Sequence, residues 1–286
     1  MIVINIGLDV KIDFTSKGRY DVVKLKTTGG SIMSMFQIVF SPTGGTQRVA
    51  DEIVKEWNKS ITKVDLTDAS LKFENYTFTK DDVAIIAVPS YGGRVPSLAS
   101  ERISKIKGNQ TKCIIVCVYG NRAYEDTLIE LNDIVKESGF TVMAAISAIA
   151  QHSIINQYAT GRPDAKDKEQ LQQFSKEIFE KLNDLSCPQE LHIPGNRPYK
   201  KAGGALLVPK ANNKCVNCGH CAEVCPTNAI SKDKIKTADS KKCISCMRCI
   251  VECPKSARQV NGVLVSVAAL TIKKACSQRK NNELFI

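Results

Sequence analysis

From Met35 onward the apolar positions alternate between short continuous runs and longer amphipathic stretches. Met35–Phe40 is an apolar run, as expected for a strand buried on both faces of a parallel sheet. Val49, Ala50, Ile53, Val54 and Trp57 then recur at helical spacing. The same alternation continues. Strands are expected at Ile61–Leu66, Asp82–Pro89, Lys112–Tyr119 and Phe140–Ala150, and helices at Pro96–Lys107, Tyr124–Ser138 and Asp164–Leu185. Leu128, Leu131, Ile134 and Val135 form one helical face, and Gly139 ends that helix. Five strands joined by crossover helices predict an α/β fold with a doubly wound, five-stranded parallel sheet over residues 35–185.

The pattern breaks down on either side. Residues 1–34 are read as an N-terminal extension, within which Met1–Ile6 is either a strand or part of an irregular lead-in. Residues 186–204 carry Pro188, Pro194, Gly195, Pro198, Gly203 and Gly204, which predicts an irregular but ordered connector. Residues 205–262 form a second, small α+β unit, and 263–286 a C-terminal helix and tail.

In doubly wound sheets ligands bind outside the carboxyl ends of the strands. Three loops at those ends are unusual: Ser41-Pro-Thr-Gly-Gly-Thr46, Pro89-Ser-Tyr-Gly-Gly-Arg94 and Tyr119-Gly-Asn-Arg-Ala-Tyr124. The first leads straight into a helix, whose N-terminal amides and positive dipole end suit a phosphate. Ser41, Thr43 and Thr46 add hydroxyls, while Gly44 and Gly45 let the backbone curl around an anion. The loop lacks the Lys-Ser/Thr of a nucleoside-triphosphate loop and the spacing of a dinucleotide fingerprint. Alone it is read equally well as a tight turn. Three such loops together predict a cradle for a phosphate attached to a flat heteroaromatic ring, which tyrosines can stack on.

Chemistry of another kind lies between Lys214 and Pro254. The run Cys215-x-x-Cys218-x-x-Cys221-x-x-x-Cys225-Pro226 recurs as Cys243-x-x-Cys246-x-x-Cys249-x-x-x-Cys253-Pro254. This is the spacing of bacterial modules with two four-iron clusters, in which the fourth cysteine of each run serves the other cluster. Cluster one is expected on Cys215, Cys218, Cys221 and Cys253. Cluster two is expected on Cys243, Cys246, Cys249 and Cys225. Zinc favours two separated pairs of cysteines, and a disulfide framework suits a small secreted chain; neither explains the duplicated run.

The net charge is +11, with a lysine-rich excess around the cysteines. No nucleic-acid-binding pattern accompanies it, so the cations are read as offsetting anionic clusters and as steering acidic redox partner proteins. No apolar run is long enough to span a bilayer, and no secretory signal is evident, so a reducing cytoplasm is expected. Oligomeric state is left open.

Residues 35–185 resemble flavodoxins, on the strength of the Ser41–Thr46 loop. The span 35–285 resembles the flavodoxin–ferredoxin fusion proteins of anaerobic bacteria. The matching segments are Ser90–Pro96, Tyr119–Arg122, His152-Ser153, Gly161–Asp164 and both cysteine runs. The resemblance implies FMN and two [4Fe-4S] clusters. Ser41, Thr43, Gly44, Gly45 and Thr46 would hold the FMN phosphate, and Ser90, Tyr91, Gly92, Gly93, Tyr119, Gly120 and Asn121 would line the isoalloxazine. Its expected function is electron transfer between clusters and FMN and on to a protein partner, the alternative being an FMN-dependent reductase of a small organic substrate. Flavodoxins are typically acidic, and this chain is basic. No catalytic dyad stands out. His152 is read either as a structural residue or as a donor to the flavin, and Arg94 and Arg122 either as caps or as charges beside it. Cys113 and Cys117 are expected to act as small hydrophobes within a strand. Cys187 shows no partner cysteine at ligand spacing, and Cys276 falls in the C-terminal helix.

Overall fold

A computed structural model of the chain describes residues 34–57, 60–183, 191–203 and 207–286. The apolar segment at 1–6 and Cys187 lie outside the described residues.

Five strands and their crossovers appear in the expected order. They are β1 (Met35–Val39), α1 (Gly45–Val54), β2 (Ile61–Asp65), β3 (Val83–Pro89), α2 (Ser97–Ile103), β4 (Lys112–Tyr119), α3 (Thr127–Glu137), β5 (Thr141–Ile149) and α4 (Ala165–Asn183). Sheet order is β2-β1-β3-β4-β5 with every pair parallel, the flavodoxin-like order of a doubly wound sheet. The strands read as continuous apolar runs because helices cover both faces. On one face Phe40, Ile86, Ile115, Leu128 and Leu131 are fully buried. On the other, the Trp57 indole donates to Ser175 Oγ at 2.6 Å and ties α1 to α4. Cys113 and Cys117 are buried in β4, where desolvation pushes both thiols far up and leaves them inert.

The remaining elements are β6 (Lys210–Ala211), α5 (His220–Glu223), α6 (Arg248–Val251), β7 (Arg258–Gln259), α7 (Gly262–Cys276) and β8 (Glu283–Phe285). β6 and β7 pair antiparallel as a separate two-stranded sheet. β8 corrects the expected strand number. The sheet has six strands, because Glu283–Phe285 pairs antiparallel with Ala145–Ser147 of β5. Three residues are too few to show a periodicity, yet they cover an edge strand that would otherwise present unpaired amides. The Glu283 carboxylate also accepts from Ser147 Oγ at 2.7 Å and from Tyr124 Oη at 3.0 Å.

The two cofactor-type segments pack against each other within one compact unit, residues 34–286. Arg102 of α2 is buried and bridges them. It donates to the Leu66 carbonyl at 2.6 Å and to the Pro226 carbonyl, just past Cys225, at 2.9 Å. Tyr158 Oη donates to the Ala269 carbonyl of α7 at 2.6 Å. No helix among the described residues is long and apolar enough to cross a membrane.

Connector residues 191–203 have no regular structure and are held by Asp126. Its buried carboxylate accepts from the Asn196 amide at 2.9 Å, from Asn196 Nδ2 at 3.0 Å and from the Lys200 amide at 2.6 Å. Burial alone would raise its pKa, but these bonds and the Lys200 charge outweigh it and hold the carboxyl below its usual value. The connector's attachment is therefore complete above the ordinary carboxylate range and is lost as pH falls through the depressed folded value. Asp126→Asn is expected to cost about 1–3 kcal/mol and to raise protease cleavage within 191–203 at neutral pH, measured by limited proteolysis. Unchanged cleavage would show that Asp126 does not hold the connector.

Candidate functional site

The loop after β1 is shaped by Gly44, whose φ of +81° favours glycine, at the N-terminus of α1. No side chain caps Gly44, and the first turn of α1 holds no acidic residue, so its positive end is free of local anions. Ser41 Oγ accepts from the Gln47 amide at 2.9 Å and so stabilises the turn itself. Arg48 was not anticipated. Its guanidinium lies 3.3 Å from where a Cβ on Gly44 would sit, so it hangs a cation over the loop.

Thr43, Gly45, Thr46, Ser90, Tyr91, Tyr119 and Gly120 line one cleft of about 60 Å³. The three strand-end loops therefore converge. A fourth joins them after β5, with Gln151, His152 and Ser153 in the wall. Gly120 is there for close approach: a Cβ on it would lie 2.7 Å from the His152 side chain. His152 Nδ1 accepts from the Ile154 and Ile155 amides at 3.2 Å each, which leaves its proton on Nε2. Burial, then the Arg122 charge, lowers its pKa and keeps the ring neutral.

Other expected residues are placed differently. Gly93 is backed by Glu125, and Asn121 turns into the C-terminal segment, where Nδ2 donates to the Cys276 and Gln278 carbonyls at 3.1 and 2.8 Å. Neither lines the cleft. Tyr119 is only 6 % exposed, packed edge-on against Tyr124 at 5.3 Å, so it offers little stacking surface. Tyr91 is the more accessible ring. Arg94 is engaged structurally, in a bidentate pair with Glu130 at 2.7 Å, and Arg122 pairs with Glu125. Cys276 is buried at the end of α7, against the Gly120 carbonyl.

A larger cleft of about 810 Å³ adjoins the first. Ser90, Tyr91, Gly92 and His152 form one wall, Leu264 and Val267 of α7 another, and Ile244 and Ser245 a third. Ile244 and Ser245 lie between Cys243 and Cys246, so a cysteine loop faces the strand-end loops directly. Burial, followed by the negative charge of Cys246, raises the Tyr91 hydroxyl pKa.

The cysteines fall into two groups. Cys215, Cys218, Cys221 and Cys253 together line a small cavity of about 20 Å³. Burial pushes Cys246 up to about 12, and the like charges of Cys249, Cys225 and Cys243 add to it. Burial likewise lifts Cys249 to about 11, with Cys225 and Cys243 again contributing. Cys253 thus shares a cavity with the first three cysteines of the other run, and Cys225 lies within electrostatic reach of Cys246 and Cys249. Backbone amides already point at sulfur: Ala229 N to Cys225 Sγ and Ala257 N to Cys253 Sγ, each at 3.3 Å. Arg258, buried, reaches Cys221 Sγ at 3.5 Å. Among the described residues, no three His, Cys, Asp or Glu side chains close on a single metal ion. The four thiols around the first cavity equal the ligand number of one four-iron cluster.

Residues 214–257 match the family model described as the 4Fe-4S dicluster domain. The description of that model implies two four-iron clusters, and here the matching segment follows a parallel sheet of flavodoxin-like strand order. No curated protein matches the chain. Among solved structures, a flavodoxin of Streptococcus pneumonia TIGR4 is 19 % identical with a TM-score of 0.37, over 52 % of this chain and 99 % of that one. Two-electron reduced Megasphaera elsdenii flavodoxin is 18 % identical with a TM-score of 0.35, over 50 % and 98 %. A Fusobacterium nucleatum flavodoxin bound to flavin mononucleotide is 15 % identical with a TM-score of 0.34, over 52 % and 97 %. The fold assignment rests on the sheet order of this chain, not on those scores.

Proposed function

We propose that this protein passes electrons between two four-iron clusters and FMN, and on to an acidic protein redox partner in a reducing cytoplasm. The observation that carries this is the shared cleft, in which the cysteine loop Ile244-Ser245 faces the strand-end loops Ser90–Gly92. Cys215, Cys218, Cys221 and Cys253 would hold one cluster, and Cys225, Cys243, Cys246 and Cys249 the other. The first amides of α1, Thr43, Thr46 and Arg48 fit the phosphate of FMN. Tyr91, Gly120 and the Nε2–H of His152 fit its ring. The redox chemistry belongs to the cofactors, and the chain supplies position and electrostatics.

A second reading is favoured by the volume of the larger cleft, whose apolar α7 wall would admit a small organic electron acceptor beside the flavin. The protein would then be an FMN-dependent reductase.

Anaerobic purification followed by absorbance and EPR during stepwise reduction tests the proposal. About eight irons per chain, one FMN, and flavin reduction by way of the clusters are expected. A colourless protein after careful reconstitution overturns it. Loss of flavin fluorescence quenching on titration with candidate acceptors would favour the reductase. Gly120→Val is expected to weaken FMN binding roughly tenfold or more, measured by fluorescence titration of the apoprotein, with iron content unchanged.

A further inference from the structure

The two cysteine groups differ in what surrounds them. The group around Cys246 is the inner one: Cys225, Cys246 and Cys249 are buried, and the Cys243–Cys246 loop lines the cleft shared with Tyr91. Pro226 beside it is bolted to α2 by Arg102. The cavity around Cys218 is lined only by residues of 215–258, none of them from the strand-end loops. Cys218 is exposed, and Val216 beside it is 60 % exposed, an apolar side chain at the mouth of a thiol-lined cavity.

The charges around that mouth have one dominant sign. Lys255 lines the cavity, Lys214 precedes Cys215, and Lys234 and Lys236 flank the lining residue Ile235; all four are exposed. None of the four is in an ion pair among the described residues. Asp233, Glu223 and Glu252 are the nearby acids; Glu223 is paired with Lys232, and Glu252 lies 3.9 Å from His220. An apolar contact point ringed by lysines, directly over a redox centre, is a surface for a transient acidic partner: charge steers the encounter, and a small apolar core lets it dissociate.

We infer that the face around Val216 and Cys218 is the port where a small acidic one-electron carrier protein docks, while the Cys246 group is the inner relay to the flavin. This rests on the electron-transfer function proposed above. Each docking oxidises the carrier by one electron and reduces this protein by one. Two successive dockings supply a two-electron acceptor, whose protons come from solvent.

The test is anaerobic stopped-flow mixing of the holoprotein with a reduced, purified acidic ferredoxin as probe. The double variant Lys214→Glu/Lys255→Glu is expected to slow reduction roughly tenfold or more at low salt. The deficit should vanish near 0.5 M salt, where the screening length is under about 5 Å. Lys241→Glu/Lys242→Glu, beside Cys243, is expected to change the rate less than about threefold, because screening confines charge effects to the docking face. Iron and flavin content and reduction by dithionite should match wild type in both. Should the first pair lose iron, Lys214→Gln/Lys255→Gln replaces it, with a smaller slowing of the same salt dependence expected. An unchanged rate in the first pair, or equal slowing in the second, overturns the port. A wild type reduced by dithionite but not by the carrier also overturns it and leaves the electron-transfer function standing. Failure of dithionite to reduce the flavin through the clusters defeats that function itself.

Discussion

Cys225→Ala is expected to remove the cluster whose other ligands come from the second cysteine run, not from its own. Cys225 follows Cys221 by four residues, yet its charge, with that of Cys243, is among those that raise the Cys246 and Cys249 thiols. Single substitutions cannot tell the two pairings apart, since each leaves one cluster intact. Double substitutions can. Cys225→Ala with Cys246→Ala damages one cluster twice, so about four irons per chain should remain. Cys225→Ala with Cys218→Ala damages both, so iron should fall near zero. Cys253 mirrors this: it should pair with Cys218 in sparing one cluster and with Cys246 in losing both. Iron analysis and EPR spin counting read the result, and the reversed pattern would establish local ligation. The effect is large because this segment has little else to fold around. Its buried cluster is Ala222, Ala229, Ile230 and Ile235 with Cys221, Cys225 and Cys249 themselves. In so small an apolar core, cofactor binding contributes directly to folding.

Arg162→Met is the substitution expected to destabilise the sheet unit most. Arg162 is 5 % exposed and Asp167 not at all. Arg162 Nε donates to Asp167 Oδ2 at 2.7 Å, and Nη2 binds the other oxygen. Asp167 also accepts from the Asp164 amide at 2.9 Å, from Arg279 Nη2 at 3.2 Å and from Asn282 Nδ2 at 3.3 Å. Without Arg162 a buried carboxylate keeps only these weaker donors, which costs about 3–5 kcal/mol. That corresponds to a fall in Tm of roughly 6–20 °C for a unit of this size. The segment carrying β8 hangs on the same network through Arg279 and Asn282, so proteolysis near the C-terminus should increase in parallel. Adding Asp167→Asn removes the buried carboxylate that has lost its strongest partner and should restore part of the loss, the coupling expected of direct partners. A melting temperature within about 2 °C of wild type, less than about 1 kcal/mol, would show that Asp167 is satisfied without Arg162.

The strand order could be read along the chain because buried parallel strands are continuous apolar runs, and the helices between them carry one apolar face each. The same locality made the cysteine runs legible: six of the eight thiols lie within a few residues of their neighbours, and spacing alone brings them together. The strand-end loops were legible as positions, since glycines and hydroxyls cluster where strands end. Which side chains turn into the cleft was not, because loop neighbours point in different directions. Asn121 and Tyr119 share a loop with Gly120, yet Asn121 binds the C-terminal segment and Tyr119 packs into the core.

Contacts between residues far apart in the chain left no local trace. Arg102 on Pro226, Asp126 on Lys200 and β8 on β5 pair groups whose sequence surroundings are ordinary. Periodicity and short-range spacing encode an element and its buried face, so the α/β sheet and the two-cluster module could be inferred from residue order. The meeting of Ile244-Ser245 with Ser90–Gly92 joins two loops more than 150 residues apart. It depends on how two separately formed cores pack, and packing sets which cysteine group lies beside the strand-end loops and which lies open under its lysines.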